Sequence, residues 1–201
     1  MPVSTIEKFR IPISRLLVVA LIIFILLSAN RWEDTYVASL LFASGCFLVA
    51  IASLGRLWCS LYIGGYKKNV LITDGPYSIC RHPLYFFSFL GAVGVGLSTE
   101  TFLITFVITF SYAMYYKYVI HSEEAVLLKK HGNAYKNYRD VTPALLPKLS
   151  LLREPETYTV NPRVFRKHAF DALWFVWIVG IIEIIEAFHE LGSLPVVFKI
   201  Y

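Results

Sequence analysis

Long apolar stretches separated by short polar connections constrain this chain more than any other feature. Leu16–Ala29, Tyr36–Leu54, Leu84–Leu97 and Thr101–Ile120 are four runs, and Ala172–Phe188 is a fifth with glutamates inside it. Crossing a hydrocarbon core of about 30 Å takes about 20 helical residues. The second and fourth runs supply them, and the first and third borrow from their flanks. The first run also admits a signal-peptide reading, because Lys8, Arg10 and Arg15 precede it and Ser28-Ala29 is a weak small-residue site. We read it as a retained helix. Composition agrees with life in lipid: 57% of residues are hydrophobic and 16% charged, against about 25% charged in soluble domains. The expected fold is all-α, a polytopic membrane helix bundle of about five transmembrane helices in a single domain over residues 1–201. That length leaves no room for a separate soluble nucleotide-binding domain, and no G-x-G-x-x-G or Walker pattern is present.

The net charge of +5 is distributed as a topology signal, not as a nucleic-acid-binding face. Lys8, Arg10 and Arg15 precede the first run; Arg56, Lys67, Lys68 and Arg81 lie between the second and third; residues 121–169 are densely basic. The 30–35 loop sets Arg31 against Glu33 and Asp34, and Ser98-Thr99-Glu100 has no cation. The N-terminus and both basic connections therefore belong on the cytoplasmic side. Cys46, Cys59 and Cys80 have no metal-ligand spacing and read as unpaired thiols; no metal site is expected.

Polar chemistry collects on the cytoplasmic face. The connection from Gly64-Gly65-Tyr66 to Gly75-Pro76-Tyr77 is a surface loop with a short strand expected at Val70–Ile72 and a tight turn at Gly75-Pro76. Arg81-His82-Pro83 then opens the third membrane helix. Pro83 suits the first helical position and leaves His82 in the capping place, so Arg81 and His82 stand at a positive helix end, an anion site in principle. Ser88, Gly91 and Gly94 recur every three residues and permit close helix packing. From Thr101 the helical pattern continues without a breaker to Lys130, about 45 Å, which carries Glu123 and Glu124 just beyond the membrane. Gly132 ends that helix. Asn133 starts a short one that puts Tyr135 and Tyr138 on one face, and Val141–Pro147 returns toward the interface.

A ligand between these elements would meet cations, carboxylates and the aromatic faces of Tyr77, Tyr85, Tyr135 and Tyr138. That suits a zwitterion with a sugar, such as S-adenosylmethionine, whose methyl transfer needs positioning more than proton chemistry. The ordered set Gly75-Pro76-Tyr77, Arg81-His82-Pro83-Leu84-Tyr85, Glu123-Glu124 followed by Leu127 or Leu128, Gly132, Tyr135, Tyr138, Val141 and Pro147 resembles the isoprenylcysteine carboxyl methyltransferase family and its phospholipid methyltransferase relatives. The resemblance covers about residues 55–150, with an additional membrane helix at about 165–190. His131 stands where the family often has an aromatic residue.

The resemblance implies a cytosolic-side cofactor pocket for S-adenosylmethionine using Tyr77, His82, Pro83, Tyr85, Glu123 and Glu124, joined by Tyr135 and Tyr138. It also implies a lipid-facing side open to a lipophilic acceptor. Arg81 and His82 are the candidate catalytic residues, and His82 or His121 is the base if the acceptor must lose a proton. Arg163 and Arg166, with Lys167, either hold an acceptor carboxylate or anchor the chain at the interface. An NAD(P)H-dependent membrane reductase resembling sterol reductases is the competing enzyme, and a non-catalytic scaffold or small transporter the competing non-enzyme.

Two points carry geometric expectations. His82 precedes the turn near Thr99 by about 17 residues and Glu123 follows it by about 24. Straight helices would thus offset the two motifs by about 10 Å, so either the fourth helix tilts or, the reading preferred here, the motifs hold opposite ends of an elongated ligand. In the last run Glu183, Glu186 and Glu190 share a face, with Asp171 at its start and His189 beside them. Such acids mark the wet end of a tilted helix, half a carboxylate metal site, or a partner for Lys199 or a cationic acceptor head group.

Overall fold

A computed structural model describes residues 22–30, 35–64 and 70–200 of the chain. The start of the first run, Lys8, Arg10, Arg15, Arg31, Glu33, Asp34, Lys67 and Lys68 lie outside the described residues. Residues 22–27 are helical and lead into β1 (Ser28–Asn30). The helices that follow are α1 (Tyr36–Ile63), α2 (Pro76–Ile79), α3 (Pro83–Leu97), α4 (Phe102–His131), α5 (Asn133–Val141), α6 (Pro162–Ala172) and α7 (Trp174–Glu190). A short 3-10 turn covers Leu149–Leu151, and β2 is Phe198–Ile200.

Local chemistry sets the helix boundaries. The Thr35 hydroxyl accepts from the Ala38 amide at 3.4 Å to start α1, and the Asn161 side chain accepts from the Arg163 and Val164 amides to start α6. Pro83 and Pro162 occupy first-turn positions, where the missing N–H costs nothing. Gly132 separates α4 from α5 at φ 55°, ψ −124°, a backbone state that a Cβ disfavours.

Among the described residues, three helical stretches are long and apolar enough to cross a membrane: α1, α4, and Pro162–Glu190, which is α6 and α7 broken at Leu173; α3 is a shorter apolar helix. The protein is a polytopic helical membrane protein. Successive spans alternate in direction, so the end of α1, the start of α3, the end of α4 and the start of α6 share one end of the bundle. At the opposite end β1 pairs in parallel with β2, Ser28 opposite Phe198, tying the two outer segments together.

The expected close packing on α3 is present. A Cβ on Gly94 would lie 2.8 Å from the Gly45 carbonyl oxygen and one on Gly45 2.6 Å from the Gly94 oxygen, so α1 and α3 meet backbone to backbone. Val49, Val95 and Ile182 form a buried core with Phe175 and Ile178 packed on it, and Phe106, Phe110, Trp174 and Trp177 face outward as lipid-contacting residues must. Residues 70–72 form no strand, because no neighbouring strand pairs with them; their side chains line a cavity instead.

Candidate active site

The Arg81-His82 motif is held by backbone pairing. Gly75 turns the chain at φ 59° directly over the Tyr62 ring, where a Cβ would collide. The single turn of α2 follows. The chain then extends at Cys80 (φ −157°, ψ 156°) and pairs with the segment returning from α5. The Arg81 amide donates to the Pro143 carbonyl at 2.8 Å, the His82 amide to Ala144 at 3.0 Å, and the Lys148 amide to Ile79 at 2.9 Å.

Arg81 is a brace. Its Nε and Nη2 donate to Glu124 Oε1 at 3.0 and 2.7 Å, and its Nη1 donates to the carbonyls of Arg139 at 2.9 Å and Thr142 at 2.6 Å. All three nitrogens are engaged and the side chain is 11% exposed, so the expected anion site at the helix start does not form from it. At the helix start Pro83 has no amide to offer, and those of Tyr85 and Phe86 donate to the His82 carbonyl, each at 3.1 Å.

The expected offset between the motifs is overturned as well. His82 Nε2 lies 3.3 Å from Glu124 Oε1, His82 Nδ1 lies 3.9 Å from Glu123 Oε2, and the Tyr85 hydroxyl donates to Glu123 Oε1 at 2.6 Å. The motifs are one cluster. The arginine, histidine and tyrosine side chains reach across to the two carboxylates. His82 is 5% exposed, and burial pulls its pKa below the ordinary histidine value even though both carboxylates pull it up.

A cavity of about 360 Å³ opens beside this cluster, within the range of small-molecule sites. Tyr77, Arg81, His82, Tyr85, Glu123 and Tyr138 give it a polar wall, and Ile63, Leu71, Leu84, Val126 and Leu127 an apolar one. Glu123 stands out there: its side chain is 42% exposed, against 22% for Glu124. The Tyr138 hydroxyl donates to the Tyr77 carbonyl at 2.6 Å, which joins α5 to α2.

Other expected site residues lie off the cavity. Pro83 is buried as a helix starter, Tyr135 is 0% exposed, and Glu124 sits behind Glu123 in the grip of Arg81. Arg163, Arg166 and His121 are exposed and do not line it. Ile63, Ser122 and Val126 line it without having been singled out, and Leu127, one of the two leucines of the motif after Glu123-Glu124, lines it as well. Leu127, one turn beyond Glu123 on the same helix face, was legible from spacing; Ile63 was not.

The acids of the last helix gather at the opposite end. Glu100, Glu183, Glu186, Glu190, His189 and Lys199 line a second cavity of about 870 Å³ there.

Comparison with known proteins agrees with this architecture. The family model for the isoprenylcysteine carboxyl methyltransferase (ICMT) family matches residues 36–129, from the start of α1 almost to the end of α4. The chain is 38% identical over 193 residues to the cobalt-zinc-cadmium resistance protein CzcN of Cupriavidus metallidurans, covering 96% of this chain and 89% of that protein. It is 36% identical over 192 residues to the nickel-cobalt-cadmium resistance protein NccN of Alcaligenes xylosoxydans xylosoxydans, covering 96% and 90%. A shorter match, 32% identical over 81 residues, covers 40% of this chain and 34% of the protein-S-isoprenylcysteine O-methyltransferase of Schizosaccharomyces pombe. No solved structure matches. A membrane helix bundle with these motifs is of the membrane methyltransferase class. The chain belongs to the isoprenylcysteine carboxyl methyltransferase family.

Proposed function

We propose that this protein transfers a methyl group from S-adenosylmethionine to a lipophilic acceptor entering from the bilayer, with the cofactor in the cavity beside Glu123 on the cytoplasmic side. The observation that carries the reading is Glu123. It is a half-exposed carboxylate that faces a cavity of matching size, with a phenol on one oxygen and an imidazole beside the other.

The donor set fits the cofactor in part. Glu123 suits an ammonium or ribose hydroxyls, the Tyr85 and Tyr77 rings suit a positively charged centre, and Leu84, Val126 and Leu127 suit an adenine face. Arg81 is spent on Glu124, so a carboxylate bound here must find its donors elsewhere. When bound, the cofactor supplies the reactive methyl group; the residues orient it and exclude water. Arg81 acts at one remove by fixing Glu124, which fixes His82. His82 is neutral at physiological pH, able to take a proton from an amine or thiol acceptor.

The competing reductase reading is the weaker one, because among the described residues no guanidinium in the cavity is free for the phosphates of a dinucleotide. Likeness to CzcN and NccN supports a further element of the proposal: the methylation serves resistance to divalent metals. Calorimetry on the detergent-purified protein tests the cofactor directly. S-adenosylmethionine and S-adenosylhomocysteine are expected to bind and NADPH not to; binding of NADPH alone would overturn the proposal. Metal tolerance conferred by the wild-type chain but not by Glu123→Gln tests the role.

A further inference from the structure

The geometry around His82 decides where the site's protons go. Its ring lies between two carboxylates, Nε2 at 3.3 Å from Glu124 and Nδ1 at 3.9 Å from Glu123. An ionised carboxylate only accepts hydrogen bonds, and a neutral imidazole has one N–H to donate. With that proton on Nε2, toward the closer and more buried carboxylate, Nδ1 turns a lone pair toward Glu123 Oε2. Two acceptors then face each other at a distance too long for a direct hydrogen bond, beside the cavity. A donor closes that edge: solvent, a second proton on the imidazole, or a group brought by a ligand.

Among the described residues, the hydrogen-bonded groups around this edge are spent elsewhere. The Tyr85 hydroxyl is given to Glu123 Oε1, Arg81 to Glu124 and two carbonyls, and the Tyr138 hydroxyl to the Tyr77 carbonyl. Arg139 faces Asp140, and Tyr135 lies by Glu124. Burial keeps the Tyr77 phenol and the Cys80 thiol protonated, the latter pushed up to about 12.

We propose that on the acid side of the His82 titration a second proton on the imidazole faces Glu123 across the Nδ1 edge when no ligand is bound, and that the ammonium group of the cofactor displaces it, so that binding in that pH range releases one proton to solvent. The charges balance in both states. Without ligand at acid pH, imidazolium faces Glu123 and Arg81 faces Glu124; with ligand, the ammonium replaces the imidazolium beside Glu123. A neutral ribose hydroxyl would leave that carboxylate without a counter-ion. Burial weakens His82's hold on its second proton, which makes the exchange easy.

This inference rests on the cofactor reading above, and one experiment separates the two. The full-length protein in detergent is titrated calorimetrically with S-adenosylhomocysteine at about pH 5, 6 and 7, in two buffers of different ionisation enthalpy. The ligand's amino group stays protonated over that range. Expected are a tightening of up to about tenfold per pH unit on the acid side, levelling off above the His82 titration, and a buffer-dependent heat equivalent to about one released proton. In His82→Gln the slope and the buffer dependence are expected to vanish; if that variant does not fold, the wild-type titration decides alone. Methylthioadenosine, the same nucleoside without the amino-acid end, is expected to bind without a pH slope. A slope with it overturns the ammonium assignment. Binding of S-adenosylhomocysteine with neither slope nor buffer-dependent heat overturns the proton exchange and leaves the cofactor reading standing. No binding at any pH removes both.

Discussion

Where α1 and α4 finish, Glu123 and Glu124 meet a guanidinium, an imidazole and a phenol within 4 Å. Where those helices begin, four glutamates share a cavity of about 870 Å³ with His189 and Lys199. At the first end opposite charges are paired and most are buried, which leaves Glu123 as the carboxylate open to a cavity. At the second, like charges crowd, and burial with the neighbouring Glu183 and Glu190 pushes the Glu100 carboxyl up. Burial favours the neutral form at both ends, and the consequences have opposite sign. His82 titrates below its ordinary value because its charged form is a cation; Glu100 titrates above its own because its charged form is an anion, and Glu183 adds to the shift. The paired end is built to hold one arrangement, and the crowded end changes its charge with pH.

The strongest way to break that contrast is Arg81→Ala. It strands Glu124 inside the cluster and leaves the carbonyls of Arg139 and Thr142 without their donor, a loss of about 3 kcal/mol or more. Thermal unfolding in detergent is expected to show a large fall in melting temperature together with loss of methyl transfer. A variant that melts with the wild type would show that Arg81 braces nothing. Glu123→Gln sharpens the contrast from the other side. Affinity for S-adenosylhomocysteine is expected to fall at least tenfold, about 1.4 kcal/mol, while the melting temperature barely moves, because a half-exposed carboxylate carries ligand binding and little of the fold. Loss of both together would make Glu123 a structural residue like its neighbour.

A smaller effect is expected from Tyr138→Phe. The hydroxyl donated to the Tyr77 carbonyl contributes about 1 kcal/mol, read as a modest drop in melting temperature. Cofactor affinity is expected to fall with it, since the bond sets the wall of the cavity that Tyr77 and Tyr138 share. Unchanged stability and affinity would detach α5 from the site.

The paired end was only half legible in the sequence. Its membrane helices were readable because hydropathy over about 20 residues is a property of each segment alone. The helix start at Pro83, the glycine between α4 and α5, and the shared face of Tyr135 and Tyr138 were readable because local rules place them. What failed were statements that depend on distant backbone. Arg81 looked like a free cation at a helix end, but its partners are carbonyls of Arg139 and Thr142, and carbonyls leave no trace in residue identity. The pairing of residues 79–82 with 143–148, which holds Arg81 and His82 in place, is equally silent. The break at Leu173 has no proline or glycine to announce it.

The smallest expected effect belongs to the crowded end, and its value lies in its sign. A group whose folded pKa is raised stabilises the protein below its unfolded value, and that contribution is lost as pH rises through the folded value. Glu100 is such a group. His82 is the reverse case: its contribution is present above the ordinary histidine value and lost as pH falls through the lower folded one. Glu100→Gln is therefore expected to raise the melting temperature slightly at about pH 7 and to leave it nearly unchanged at about pH 4, where the wild-type carboxyl is already protonated. It is expected to change S-adenosylhomocysteine affinity less than about twofold, because sites this far apart with no shared partners behave independently. A tenfold change in affinity would show that the two ends are coupled through α3 and α4, and the separation drawn between them would have to be abandoned.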